Sequence, residues 1–164
     1  MKILVFSDSH GSLIEMKSVI EREKDIDMIF HLGDYAWDLD YVKDHMAFKI
    51  PIKKVRGNCD FGSGVPKELF FDVCGVKILM THGNKLGVKQ NLSKINYYAR
   101  EKGADIVMYG HTHMPLLRNM GDLYILNPGS IGEPRTKGRT YAVVNIDEKG
   151  KNDIKIDMKK YLLF

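Results

Sequence analysis

An apolar run, a glycine and then a side chain able to hold a metal recur along the 164 residues, and this unit constrains the fold more than any other feature. Apolar runs lead into Asp8 with His10, Gly33-Asp34, Gly57-Asn58, His82-Gly83, and Gly110-His111 with His113. In open α/β sheets the loops after the carboxyl ends of strands line one crevice, so residues far apart in sequence converge there. The glycines suit that role, because they allow sharp turns and a close approach of backbone to a ligand. Asp8 and His10 are two residues apart, as are His111 and His113, and in an extended or tightly turned segment such a pair can face the same cleft. One pair gives part of a coordination shell, and two pairs with three single donors suffice for two shells.

The rest of the chain fits this frame. Lys2 to Phe6 reads as a first strand, and Ser12-Leu13-Ile14-Glu15 has the form of a capping box. The helix it opens has Leu13, Met16, Val19 and Ile20 on its inward stripe. Asp27 to Leu32 is a second buried strand, and Trp37 to Phe48 is helical, with Trp37, Tyr41 and Val42 on related positions. Ile50 to Val55 is a third strand, and this alternation argues for a parallel sheet with helices against it. After the glycine-rich stretch Phe61 to Gly64, Glu68 to Val73 and Val76 to Thr81 form a hairpin across Cys74-Gly75. Val88, Leu92, Ile95 and Ala99 recur at helical spacing, Gly103 can end that helix, and Asp105 to Tyr109 is another strand. Leu116 to Arg118, Leu123 to Leu126, Thr140 to Ile146 and Asp153 to Met158 are short strands with turns between them, the plainest at residues 148–151, and are expected to form a second sheet.

Composition narrows the function. A length of 164 residues with 44% hydrophobic residues suits one domain, residues 1–164, with a real core. No apolar run approaches the roughly 20 residues of a membrane helix, and the short apolar start is read as a strand rather than a signal peptide. The 25 basic and 21 acidic residues are dispersed, which gives nucleic-acid binding little support. The two cysteines, Cys59 and Cys74, make no disulfide framework, so a cytoplasmic location is expected.

Asp8-x-His10, Gly33-Asp34, Gly57-Asn58-Cys59-Asp60, His82-Gly83 and Gly110-His111-Thr112-His113 resemble, in order, the five motifs of the calcineurin-like metallophosphoesterase superfamily. The short chain, the third motif and Asn127-Pro128-Gly129-Ser130 most resemble its small YfcE-like bacterial and archaeal phosphodiesterase branch, and the resemblance runs from about Lys2 to Asp147. It implies an α/β sandwich of two mixed sheets flanked by helices, with the metals at one sheet edge. It implies that Asp8, His10 and His113 hold one metal, that Asn58, His82 and His111 hold another, and that Asp34 bridges them, with Asp34, Asn58, His82 and His111 central to catalysis. Two divalent ions are expected, manganese first, with nickel, iron or zinc as alternatives. The implied reaction is in-line attack on a phosphoester by hydroxide held between the metals.

Cys59 departs from the wider superfamily, where many phosphatases have a histidine that protonates the leaving group. A thiol with an ordinary pKa of ~8.5 is a weak substitute, so good leaving groups or a metal-bound water are favoured, with Asp60 a candidate helper. Of the six histidines, His31 reads as a satisfied core residue and His45 as a surface one. Asp38, Asp40 and Asp44 read as a solvated helix flank, Tyr35 and Trp37 as core packing or a substrate-stacking pair, and Cys74 as a small hydrophobe. Asn127-Pro128-Gly129-Ser130 reads as support behind the metals, and Arg135 and Arg139 as surface residues. Phosphodiester hydrolysis of a small substrate leads; monoester hydrolysis and a nuclease are alternatives, and subunit association is left open. A protein-interaction scaffold resembling the eukaryotic retromer subunit is the reading from another class, set against it by the complete ligand set.

Overall fold

In the computed structural model, which describes residues 1–147, 150 and 153–162, ten strands form two five-stranded mixed sheets. The first half runs β1 (Lys2–Phe6), α1 (Leu13–Arg22), β2 (Met28–His31), α2 (Asp38–Met46), β3 (Ile52–Lys54), β4 (Glu68–Val73) and β5 (Val76–Thr81). The second runs α3 (Ser93–Glu101), β6 (Ile106–Met108), β7 (Pro115–Asn119), β8 (Tyr124–Pro128), β9 (Thr140–Ile146) and β10 (Ile154–Lys160). One sheet has the order β10-β9-β1-β2-β3 and the other β4-β5-β6-β8-β7. The parallel strands are β1, β2 and β3 at one end of the first sheet and β5, β6 and β8 in the middle of the second, and the remaining pairings are antiparallel.

Strand alternation builds the layers. Ile3 and Val5 of β1, Ile78 and Met80 of β5, and Ile106 and Met108 of β6 meet in the core between the sheets. Their neighbours point the opposite way: Leu4 and Phe6 meet Met16, Val19 and Ile20 of α1 and Leu39 and Val42 of α2, while Leu79 and Val107 meet Ile95 and Ala99 of α3. The result is helix, sheet, sheet, helix. Each such side chain taken fully out of water contributes on the order of 2 kcal/mol. A one-residue slip in β1 would drive Lys2 and Leu4 toward the wrong layers, so hydrophobic patterning holds the register.

Several local expectations are corrected. Ser12 sits at the N-cap of α1 but makes no side-chain cap bond; Glu15 turns instead to Arg139, Oε1 lying 3.1 Å from Nη2. A charge-assisted partner outcompetes a backbone N–H. In α2 the buried side is Leu39 and Val42, whereas Trp37 and Tyr41 are exposed. Asp38 is not on a solvated flank but buried, accepting from Ser9 Oγ at 2.8 Å and Gly11 N at 2.7 Å. Val88 lies before α3 but packs in the same cluster. Cys74 is exposed, at φ 51° in the tight turn with Gly75. The tail strands do not make a sheet of their own: β7 and β8 complete one sheet, β9 and β10 the other. Most of the turn expected at residues 148–151 lies outside the described residues.

Candidate metal centre

The ends of β1, β2 and β3 in one sheet and of β5 and β6 in the other open on the same side, so the cluster spans both sheets rather than one sheet edge. Asp8, His10, Asp34 and His113 each offer a donor atom within 4.8 Å of the others', and so do Asp34, His82 and His111. Asp34 belongs to both groups. Its Oδ2 lies 3.3 Å from His82 Nε2 and 4.0 Å from His10 Nε2, and Asp8 Oδ1 lies 3.1 Å from His113 Nε2.

The local backbone is bent to make this convergence. Asp8, His10, Asp34, His111 and His113 all have φ between 42° and 67°, the left-handed region that non-glycine residues rarely adopt. Strain of this kind persists only where the surroundings over-determine it, and it gathers at functional sites. Two glycines make the approach feasible. A Cβ on Gly57 would lie 2.1 Å from Asp34 Oδ1, and one on Gly110 would lie 2.0 Å from Ser7 Oγ.

Buried polar atoms in the cluster lack hydrogen-bond partners: Asp8 Oδ1, His10 Nε2, His82 Nε2 and His111 Nδ1. Buried polar groups are otherwise almost always satisfied, so four such atoms aimed at one another fit the ligand shell of a cation. The imidazoles are oriented for it. His82 donates from Nδ1 to Leu32 O at 2.8 Å and His113 from Nδ1 to Glu133 O at 2.6 Å, which leaves each Nε2 lone pair facing the cluster.

Electrostatics follow from the crowding. Burial pushes the Asp34 carboxyl up, but the His82 imidazole and the Cys59 backbone N–H outweigh it and hold it well below the usual carboxylate range. His82 moves up despite burial, because Asp34 and Asp8 favour its cation. His113 moves up chiefly through Asp8. His111 is pushed down to about 4 by burial and by His82.

Family comparison adds a further observation. Residues 1–149 match the calcineurin-like phosphoesterase superfamily domain. The chain belongs to the calcineurin-like phosphoesterase superfamily. A probable metallophosphoesterase, YsnB of Bacillus subtilis strain 168, is 36% identical over 149 residues, covering 90% of this chain and 85% of the relative. The phosphodiesterase YfcE of Escherichia coli K12 is 29% identical over 159 residues, covering 82% of each. A predicted phosphoesterase of Streptococcus pneumoniae TIGR4 has the same fold at a TM-score of 0.80 and 36% identity, covering 98% of this chain and 89% of the other. Vps29 of Entamoeba histolytica, in a complex with Zn2+, shares the fold alone, at 18% identity and a TM-score of 0.74 over 99% of this chain and 100% of the other.

The six carboxylate and imidazole residues among the seven expected ligands are thus brought together, and the seventh is the amide residue Asn58. It is exposed, its amide nitrogen pointing at Cys59 Sγ at 3.4 Å. Asn58 can offer a metal only its amide oxygen. Asp60, the candidate helper, does not lie at the surface. It is fully buried, accepting from the backbone N–H groups of Asp34 at 2.9 Å, Ala36 at 2.9 Å and Gly57 at 2.7 Å, so it clamps the second and third loops together. His31 is the satisfied core residue expected: Nδ1 accepts from Gly33 N at 3.2 Å, and Nε2 lies 3.1 Å from Ser9 Oγ. His45 is exposed, as expected.

Tyr35 lies with its ring 5.0 Å from that of His10 and 4.8 Å from that of Trp37, which is 43% exposed, so the pair stands at the cluster and not in the core. Asn127 and Ser130 do support the motifs from behind, Asn127 donating to Gly110 O at 2.8 Å and Ser130 to Asp8 O at 2.7 Å. Arg139 is engaged by Glu15 and Gly132, and Arg135 is exposed. Sequence reading missed Ser7, whose hydroxyl donates to Asp8 Oδ2 at 2.5 Å beside His111 N at 3.1 Å. Only its place next to Asp8 hinted at it.

Proposed function

We propose that this chain is a single-domain, two-metal phosphodiesterase that hydrolyses a small phosphoester in the cytoplasm. Its carrying observation is the place of Asp34 in both groups of converging donors. In this reading Asp8, His10 and His113 hold one ion, Asn58, His82 and His111 hold the second, and Asp34 is shared. Oxygen and imidazole donors without thiolate suit manganese first, then iron, nickel or zinc.

Two divalent ions at these donors would supply Lewis acidity, lowering the pKa of water and neutralising charge on the phosphoryl oxygens. The chain supplies the rest. Ser7 and the His111 N–H hold Asp8 Oδ2, leaving Oδ1 for a metal. The Cys59 N–H holds Asp34 Oδ1 at 2.8 Å, so Oδ2 keeps its aim at His82 and His10. The Cys59 thiol, at the open side of the cluster, is pushed up to about 11 by burial and the neighbouring Asp34, so it is a poor proton donor at neutral pH. A site without a strong acid favours esters with good leaving groups. The diester preference draws on the likeness to YfcE.

The scaffold reading draws support from the distant likeness to Vps29, which shares the fold. Turnover separates the two. Metal-stripped protein given manganese, nickel or zinc is expected to hydrolyse bis(p-nitrophenyl) phosphate faster than p-nitrophenyl phosphate. Two ions bound per chain with no turnover of either ester would favour the scaffold.

A further inference from the structure

A groove of about 560 Å3 lies beside the cluster, and its lining includes Gly57, Asn58 and Asp60 of the third motif and Thr81, the residue before His82. That volume is within the range of small-molecule sites. Its other walls carry Arg56, Lys67 and Lys85, three cations that make no ion pair among the described residues. The two acids in the lining are committed elsewhere. Glu68 accepts from Tyr98 Oη at 2.9 Å on both oxygens and lies 3.7 Å from Lys102 Nζ, and Asp60 is held by three backbone N–H groups. The cations crowd one another: Lys85 first, and then Arg56, hold the Lys67 ammonium below its ordinary value. Like charges gathered with no acid paired to them are an unfavourable arrangement that an anion relieves. At the rim Phe61, 97% exposed and followed by Gly62 and Gly64 at positive φ, offers a bare aromatic face.

We propose that this groove is a subsite for a second phosphate, so that the substrate is a nucleotide-type phosphodiester whose distal phosphoryl group is held by Arg56, Lys67 and Lys85. This rests on the phosphodiesterase reading, since it places the scissile group at the cluster beside Asn58 and the base against Phe61. Stacking on an exposed ring tolerates any base, and the distal dianion supplies charge-assisted hydrogen bonds. The selectivity is therefore for charge and a planar group rather than for a base sequence.

The test uses two chromogenic esters with the same leaving group, thymidine 5′-(p-nitrophenyl phosphate) with and without a 3′-phosphate, and metal-loaded protein. The wild type is expected to favour the 3′-phosphorylated ester by about tenfold or more in kcat/KM, mainly through KM, and to lose that preference as salt rises. K67E/K85E, both at exposed positions, is expected to bring the ratio to about one, whereas K17E/K43E, an equal charge change on α1 and α2, is expected to keep it. Equal rates on the two esters in the wild type, or loss of the preference in both double variants, would overturn the subsite. No turnover of either ester would instead remove the phosphodiesterase reading. In that event calorimetry with thymidine 3′,5′-bisphosphate decides: binding about tenfold weaker in K67E/K85E upholds an anion subsite, and no binding to the wild type removes it.

Discussion

Two buried polar clusters in this molecule are built on opposite terms. Around Glu23, Oε1 accepts from Tyr141 Oη at 2.9 Å and from Lys159 Nζ at 2.6 Å, while Oε2 lies 3.1 Å from Lys2 Nζ. Its polar atoms are paired, and none of these residues has positive φ. At the candidate metal centre buried donor atoms face one another without hydrogen-bond partners, on backbone largely held in the left-handed region. The first arrangement contributes to stability. The second is held in place by its surroundings and fits the ligand shell of a cation. Unsatisfied groups and strain cost stability wherever they occur, and a protein retains them where binding or chemistry requires them.

The contrast is tested most severely at Asp34. Asp34→Asn removes the shared carboxylate, and the turnover of metal-saturated protein is expected to fall about a thousandfold or more, read as kcat with bis(p-nitrophenyl) phosphate. Activity within tenfold of wild type would break the assignment of Asp34 as the shared ligand. Less severe is the effect of pH on metal uptake. His82 and His113 are shifted upward and must lose protons to bind a metal, so affinity is expected to drop as pH falls through neutrality, about tenfold per pH unit for each proton released. Calorimetry at several pH values checks this, and a flat profile from pH 8 to 6 would exclude those imidazoles as ligands.

In the paired cluster the expected signature is stability and not activity. Glu23→Ala strands Tyr141 and two lysines and is expected to cost about 2 kcal/mol in urea unfolding, with kcat unchanged. Burial pushes the Glu23 carboxyl up, but its bonds to Lys159, Lys2 and Tyr141 outweigh that and lower it below 4.5. The unfolded state therefore takes up the proton first. The stabilisation is full above about pH 4.5 and is lost as pH falls through the lowered folded value, a loss that the alanine variant should lack. The smallest effect is expected at Cys59. With its thiol near 11, Cys59→Ser should change kcat by less than about threefold at pH 7, and a hundredfold loss would make the thiol a participant.

The alternation of strand and helix, the hairpin at Cys74-Gly75 and the order of the five motifs were legible because each is written locally, in hydrophobic period and in glycines next to donors. The split of the tail strands between two sheets was not, since β9 pairs with β1 from the far end of the chain. Exposure of Trp37 and burial of Asp38 and Asp60 also escaped the local pattern. In an amphipathic helix the neighbours decide which positions lie inside, and Asp38 is buried because Ser9 and Gly11 come to it.

Sequence alone determined the donor chemistry: which residues can ligate, that they follow apolar strands, and that no thiolate set competes with them. The tertiary structure decided that Asp34 belongs to both groups of donors, that Ser7, Asp60 and Ser130 hold Asp8 and Asp34, and that the cations of the groove gather beside Asn58. These depend on contacts such as His111 N to Asp8 Oδ2 and Ser130 Oγ to Asp8 O, which join residues more than a hundred positions apart. Local propensity carries no information about such pairs, because only packing the two sheets against each other brings their strand ends together.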